Sequence, residues 1–331
     1  MKLPALALLL VPVLACAAEP ARPFHPRIQR LDPAFDALVA PDAPVEKIAE
    51  GFHWSEGPVW LDGALIFSDV PANIAYRWKP GDAKAAIFLQ PSGGGEAVPG
   101  VREAGSNGLA RDAQGRLLLC QGATHRIARY EHGTFTTIAD RYQGKRFSSP
   151  NDLAVRRDGD IYFTDPPYGF TDGDASPLKE LPFNGVYRVT PAGEVTLLLK
   201  HLTRPNGIGF SPDEKILYVD VSEQKAARIL AYDVQPDGTL AGERLFFDAQ
   251  PLLDAGAHGP CDGLKVDCAG NVWCAAADGV IVVSPAGKLL GRIITGEPCG
   301  NCNWGGDGST LYIASNWLIA RVPTLTKGAG W

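Results

Sequence analysis

Residues 149–165, SPNDLAVRRDGDIYFTD, alternate apolar Leu153, Val155, Ile161 and Phe163 around the tight turn Arg157-Asp158-Gly159. A period of two about a Gly-containing turn reads as a β-hairpin with one buried face. Yet this hairpin opens, directly after Pro150, with an amide and an acid, Asn151 and Asp152. The explanation lies in repetition. Related hairpins start at Glu56 (EGPVWLDGALIFSD), Asn107 (NGLARDAQGRLLLC), Asn206 (NGIGFSPDEKILYVD), Asp262 (DGLKVDCAGNVWCA) and, more loosely, Cys302 (CNWGGDGSTLYIAS). With the copy at Asn151 there are six, their starts separated by 51, 44, 55, 56 and 40 residues. That spacing suits four-stranded propeller blades and exceeds the shorter solenoid repeats.

Each copy extends into a meander. In the second, strands fall near 107–111, 116–120, 125–130 and 134–140; in the fourth, near 206–211, 215–221, 227–233 and 243–248. The sixth has only three candidate strands, ending at Leu318–Val322, and Val45–Ala49 can supply the missing outer one, closing the ring and hiding an edge. The expected fold is all-β, a six-bladed β-propeller of four-stranded antiparallel blades around a central metal-binding channel. It spans 45–323, preceded by an N-terminal extension over 19–44 and followed by a tail over 324–331.

In a propeller the first strand of each blade lines the channel, so equivalent first residues meet around the axis at one rim. Here they are Glu56, Asn107, Asn151, Asn206 and Asp262. A single Asn-Gly or Asp-Gly pair is ordinary turn punctuation. Recurrence at one repeat position points instead to a ring of carboxylate and amide oxygens, the donor set of a hard cation such as Ca²⁺; Zn²⁺, Mg²⁺ and Mn²⁺ are the alternatives, although Zn²⁺ usually draws His or Cys. Loop lengths select the same rim. Turns at the far end are short, whereas 91–106, 166–184 and 249–261 at the near end are long, and long loops on one face carry function. The segment 166–184 reads as a surface lid, with Tyr168 as a substrate contact.

A 331-residue chain with 37 Gly, 27 Pro and 45% hydrophobic residues is rich in turns and has ample material for a core. Its net charge of -6, without a basic cluster, argues against nucleic acid or anionic lipid as the partner and leaves a small molecule. The oligomeric state is not legible. Residues 1–18, with one Lys, an apolar run from Leu3 to Leu14 and small residues from Ala15, predict an export signal, hence a periplasmic protein without a transmembrane span. Val13-Leu14-Ala15-Cys16 also fits, imperfectly, a lipoprotein cleavage box that would place a lipid anchor on Cys16. Six further Cys permit disulfides whose pairing is unreadable; Cys299 and Cys302 read as structural thiols or a bridge rather than as a zinc or redox motif.

The motifs EGPVW, SPNDLAV, DGDIYFTDPPYG, RPNGIGFSPDEKILYVD, CDGLKVDCAGNVW and NCNWGG resemble those of the SMP-30/gluconolactonase/LRE-like hydrolases, from about Gly51 to Val322. That resemblance implies a six-bladed propeller with one catalytic divalent ion, two in more distant relatives. It implies metal ligands at Glu56, Asn151, Asn206 and Asp262, with Asp152 and Asn107 near the substrate. The expected reaction is hydrolysis of gluconolactone or a related sugar lactone, with Asp262 or Asp152 accepting the proton of the attacking water. His53, His125 and His258 are rival bases, and no Gly-x-Ser-x-Gly elbow occurs. The alternative is a non-catalytic binding or scaffold propeller whose calcium is structural.

Overall fold

In a computed structural model, which describes residues 22–331, the first five hairpins form the inner two strands of successive four-stranded antiparallel sheets. Blade one runs Ser55–Leu61, Ala64–Asp69, Ile74–Trp78 and Ala86–Leu89. Blade two runs Ser106–Arg111, Leu117–Gln121, Arg126–Glu131 and Thr134–Ala139. Blades three and four start at Leu153–Val155 and Pro205–Phe210 and end at Val195–Leu199 and Leu240–Asp248. Blade five runs from Leu264–Val266 to Leu289–Ile294.

Blade six has Asn301–Gly305, Thr310–Ser315 and Leu318–Pro323, and its outer strand is Glu46–Glu50 from before blade one. Glu46 pairs with Arg321 in register and accepts a hydrogen bond from the Arg321 Nε at 2.7 Å. The expected closure therefore forms, and the ring has no open seam. Second strands are buried on both faces because each is covered by neighbouring blades; Leu117–Gln121 and Val272–Ala276 are buried at every position. Aromatic pairs cement the blade contacts. Trp60 of blade one stacks on Tyr312 of blade six with centroids 5.6 Å apart, and Trp273 of blade five meets Trp304 of blade six edge-on at 5.3 Å.

Both flanks engage the propeller. Arg27–Arg30 adds a fifth strand to blade five, and the short helix Pro33–Ala37 buries Phe35 against Gly291. The tail turns back beneath blade five, where the Ala329 N–H donates to the Val266 carbonyl at 2.9 Å. The export signal and Cys16 lie outside the described residues. No described helix is long and apolar enough to cross a membrane. Cys120, Cys261, Cys268, Cys274, Cys299 and Cys302 are all free thiols, so the bridge alternative for Cys299 and Cys302 does not form. Burial pushes the Cys299 thiol up to about 12, leaving it an inert packed group.

Candidate metal and active site

The channel explains why Gly follows four of the ring residues. A methyl on Gly57 would lie 2.3 Å from the Asn107 carbonyl oxygen, one on Gly108 2.6 Å from that of Asn151, and one on Gly207 2.4 Å from that of Asp262. Adjacent blades thus touch backbone to backbone at the axis, and close approach alone requires Gly at 108 and 207, while Gly57 adds a positive φ of 52°. The Gly108 N–H donates to Asn151 O and the Gly263 N–H to Gly300 O, both at 2.7 Å, linking blade two to three and five to six.

These contacts also correct the register of the sixth repeat. Gly300, not Cys302, is the counterpart of Asp262, and Asn301 is the counterpart of Gly263: Gly300 N–H bonds Ala314 O as Asp262 N–H bonds Ala275 O. A side chain at 300 would strike the Glu56 carboxylate, since a methyl there would lie 2.5 Å from Oε1. Five blades therefore contribute side chains to the ring, and the sixth leaves room for Glu56.

Glu56, Asn107, Asn151, Asp152 and Asn206 are buried. Asp262 faces the channel and is half-buried at its surface, but lies deep enough that desolvation dominates its titration. The Oδ1 atoms of Asn107 and Asn206 are buried acceptors with no hydrogen-bond partner. Unsatisfied buried acceptors are costly unless something electropositive faces them. Glu56 is pushed up to about 7 by burial and then by the negative charge of Asp152. Asp262 is pushed well above the usual carboxylate range by burial, then by Glu56 and Asp152. Two mutually repelling carboxylates beside orphaned amide oxygens form a hard-oxygen cradle that fits a divalent cation. Among the described residues no three His, Cys, Asp or Glu side chains gather as a metal site.

Asp152 occupies the floor beneath the ring. Its Oδ2 accepts from Lys265 Nζ at 3.1 Å and from Asn301 Nδ2 at 3.3 Å, and its Oδ1 from the Leu153 N–H at 2.9 Å. Neither Lys265 nor Asn301 is legible from the repeat as a site residue. Nor are the braces behind the ring. Ser68 Oγ donates to Asn107 O at 2.9 Å and Thr164 Oγ1 to Asn206 O at 2.7 Å, each gripping the next blade. Asp69 accepts from the N–H groups of His53 and Trp54, and Asp165 from those of Ser148 and Ser149, fastening the segments that enter the ring. The recurring Ser-Asp and Thr-Asp at the ends of second strands were the available signal.

At the near rim, Glu103, Asn107, Asn151 and Tyr168 line a cleft of about 10 Å³, room for about one water molecule. Tyr168 donates to Ser222 O at 3.3 Å, and Glu103 is bound by Arg102 at 2.7 Å. The segment 166–184 is more than a surface lid: Phe170 pairs with Val101 in a β-bridge, and Phe170 and Leu181 are buried. A larger cavity of about 650 Å³ opens at the opposite end, among the short turns, and contains none of the ring residues.

Each candidate histidine has an oxygen partner of its own. His53 Nδ1 faces Asp69 at 3.2 Å and His258 Nδ1 faces Asp278 at 3.0 Å, both exposed, while His125 is packed with Nδ1 2.6 Å from Ser148 O.

Comparison with known proteins agrees with this architecture. The family model for the SMP-30/Gluconolactonase/LRE-like region matches residues 54–316. A gluconolactonase of Zymomonas mobilis is 40% identical over 311 residues, covering 91% of this chain and 87% of its own length. A pentonolactonase of Haloferax volcanii is 30% identical over 266 residues, 78% of this chain and 80% of that protein. The solved structure of a gluconolactonase from Xanthomonas campestris superposes with a TM-score of 0.78 at 31% identity, covering 94% of this chain and all of the other.

Proposed function

This chain belongs to the SMP-30/gluconolactonase/LRE-like family and is a lactone hydrolase; on that premise we propose that it opens gluconolactone or a related aldonolactone to the aldonic acid at the channel ring, with a divalent cation as cofactor. The observation that carries the reading is the pair of buried, unpartnered Asn107 and Asn206 oxygens on a ring position that also brings in the Glu56 and Asp262 carboxylates. Glu56, Asn151, Asn206 and Asp262 would hold the ion, and Ca²⁺ suits a donor set made wholly of oxygen. When bound, the cation supplies Lewis-acid polarisation of the lactone carbonyl and a counter-charge for the developing oxyanion.

The chain's own groups do the rest. Asn107, Asn151 and Tyr168 stand together at the near rim, and their amide and phenol groups would hydrogen-bond the hydroxyls of a sugar arriving from that side. A carboxylate takes the proton of the water that attacks the carbonyl carbon; the ring C–O bond then breaks and the alkoxide is protonated, leaving aldonate and one released proton. We assign the acceptor role to Asp262 over Asp152. Both Asp152 oxygens are already engaged by donors, the Leu153 N–H, the Lys265 ammonium and the Asn301 amide, which hold the carboxylate turned toward them.

Export to the periplasm through residues 1–18, with or without a lipid on Cys16, belongs to the same proposal and is supported by the sequence pattern of that segment. Five of the six remaining thiols are buried, so an oxidising compartment would not readily reach them.

The experiment is a panel of aldonolactones followed by proton release, on protein treated with EDTA and then reloaded with Ca²⁺, Mg²⁺, Mn²⁺ or Zn²⁺. Turnover that survives complete metal removal overturns the role of the cation. Hydrolysis of simple aliphatic lactones in preference to all sugar lactones overturns the substrate class.

A further inference from the structure

The channel floor carries a cation of its own. In four blades the position after the ring residue is Gly: 57, 108, 207 and 263. Blades three and six, which face each other across a six-fold ring, carry Asp152 and Asn301 there instead, and these side chains meet at 3.3 Å. Lys265, three residues beyond Asp262 on the first strand of blade five, sends its ammonium between them, 3.1 Å from Asp152 Oδ2 and 3.3 Å from Asn301 Oδ1, with a third bond to Leu264 O at 2.9 Å. Its side chain is 18% exposed and that of Asp152 is 1% exposed. Lys265 is among the residues lining the large far-side cavity, and its ammonium reaches Asp152, the neighbour of the ring residue Asn151, so it stands at the boundary between the two halves of the channel.

We propose that Lys265 is an internal counter-charge that cancels Asp152, so that Glu56 and Asp262 alone present two negative charges and the ring is matched to a single divalent cation. This rests on the proposed metal-dependent function and adds a selectivity device to it. The other nearby carboxylates are accounted for by position. Glu103 is paired with Arg102, and Asp220 stands behind Gly207 on the second strand of blade four. Lys265 thus occupies the place where a second cation would otherwise be needed to offset Asp152, and the fixed ammonium does so at every metal concentration. Charge, rather than packing, sets its role, because a full positive charge 3.1 Å from Asp152 Oδ2 opposes the field of that carboxylate at the ring groups around it.

The test is metal binding, read by calorimetry with Ca²⁺ and by sensitised luminescence with Tb³⁺, on the full chain and the variants Lys265→Met, Asp152→Asn and the two combined. Lys265→Met keeps the apolar stem and removes the charge. It should tighten Ca²⁺ binding by about tenfold or more, and Tb³⁺ binding further still, because a Coulomb term scales with the charge of the ion. Asp152→Asn should weaken Ca²⁺ by a similar factor, and adding Lys265→Met in that background should restore affinity to within about threefold of wild type. A packing disturbance would act alike on both ions. A Tb³⁺-to-Ca²⁺ affinity ratio that is the same in wild type and Lys265→Met therefore overturns the inference while leaving the proposed function standing. If Lys265→Met does not fold, the Asp152→Asn and double variants carry the comparison, and failure of the double to regain affinity overturns it. Wild-type protein that binds no divalent cation overturns both.

Discussion

Asn301 donates from Nδ2 to Asp152 Oδ2 across the channel floor at 3.3 Å, although 149 residues separate them. The contact exists because blades three and six oppose each other and are the two without Gly at this position. It places the acid at the centre of a polar knot rather than on an open surface. Asp152→Ala would leave the Lys265 ammonium buried without a carboxylate, so it should destabilise the fold by about 3–5 kcal/mol, whereas Asp152→Asn should cost less. Chemical denaturation of both variants without metal checks the order; equal stabilities would contradict it.

Asn206 brings an unsatisfied buried oxygen to the ring. Asn206→Ala removes an acceptor that nothing in the protein satisfies, so the apo protein should lose little stability. Lactonase kcat/KM should nevertheless fall by about 10²-fold or more, the scale of removing one electrostatic contributor from a preorganised site. Full turnover at saturating calcium would remove Asn206 from the ligand set.

Gly207→Ala tests close approach. The added methyl would meet Asp220 Oδ2 at 2.3 Å and Asp262 O at 2.4 Å. Gly207 does not need a positive φ, so any penalty comes from crowding between blades four and five. Overpacking of this kind typically costs about 1–3 kcal/mol, and the displacement of Asp262 should also weaken calcium binding. Thermal melts with and without calcium measure both effects, and a melting temperature equal to wild type would refute the crowding.

Glu56 supplies a pH signature. Its folded value of about 7 lies above the ordinary 4.5, so between these the folded protein holds a proton that the unfolded chain has released. Stability of the metal-free protein should therefore fall as pH rises through that window. A divalent cation favours the ionised carboxylate and its binding releases the proton, so saturating calcium should flatten the slope. Glu56→Gln should remove this contribution. A metal-free melting temperature that rises between about pH 5 and 7 would contradict the assignment.

Leu181 is buried in the cluster with Phe147, Phe163 and Tyr187. Leu181→Ala should cost about 2–5 kcal/mol, and deletion of the segment between Gly169 and Phe183 should unfold blade three rather than only alter substrate preference. Circular dichroism melts of the two variants decide between a packed segment and a free lid.

Periodicity and repetition already carried the architecture. Six hairpins at blade spacing, an apolar period of two and a missing sixth-blade strand matched by residues near Val45 are local patterns, legible because a strand's burial is written every second residue. The ring residues Glu56, Asn107, Asn151, Asn206 and Asp262 were legible for the same reason, as repeats of one position. What faces what across a closed ring is different. That Gly300 makes room for Glu56, that Asn301 and Lys265 close on Asp152, and that Phe170 and Leu181 anchor an apparent loop depend on angles between blades far apart in the chain. No sequence spacing encodes those angles; they arise when six twisted sheets pack around one axis and their innermost backbones come within van der Waals contact.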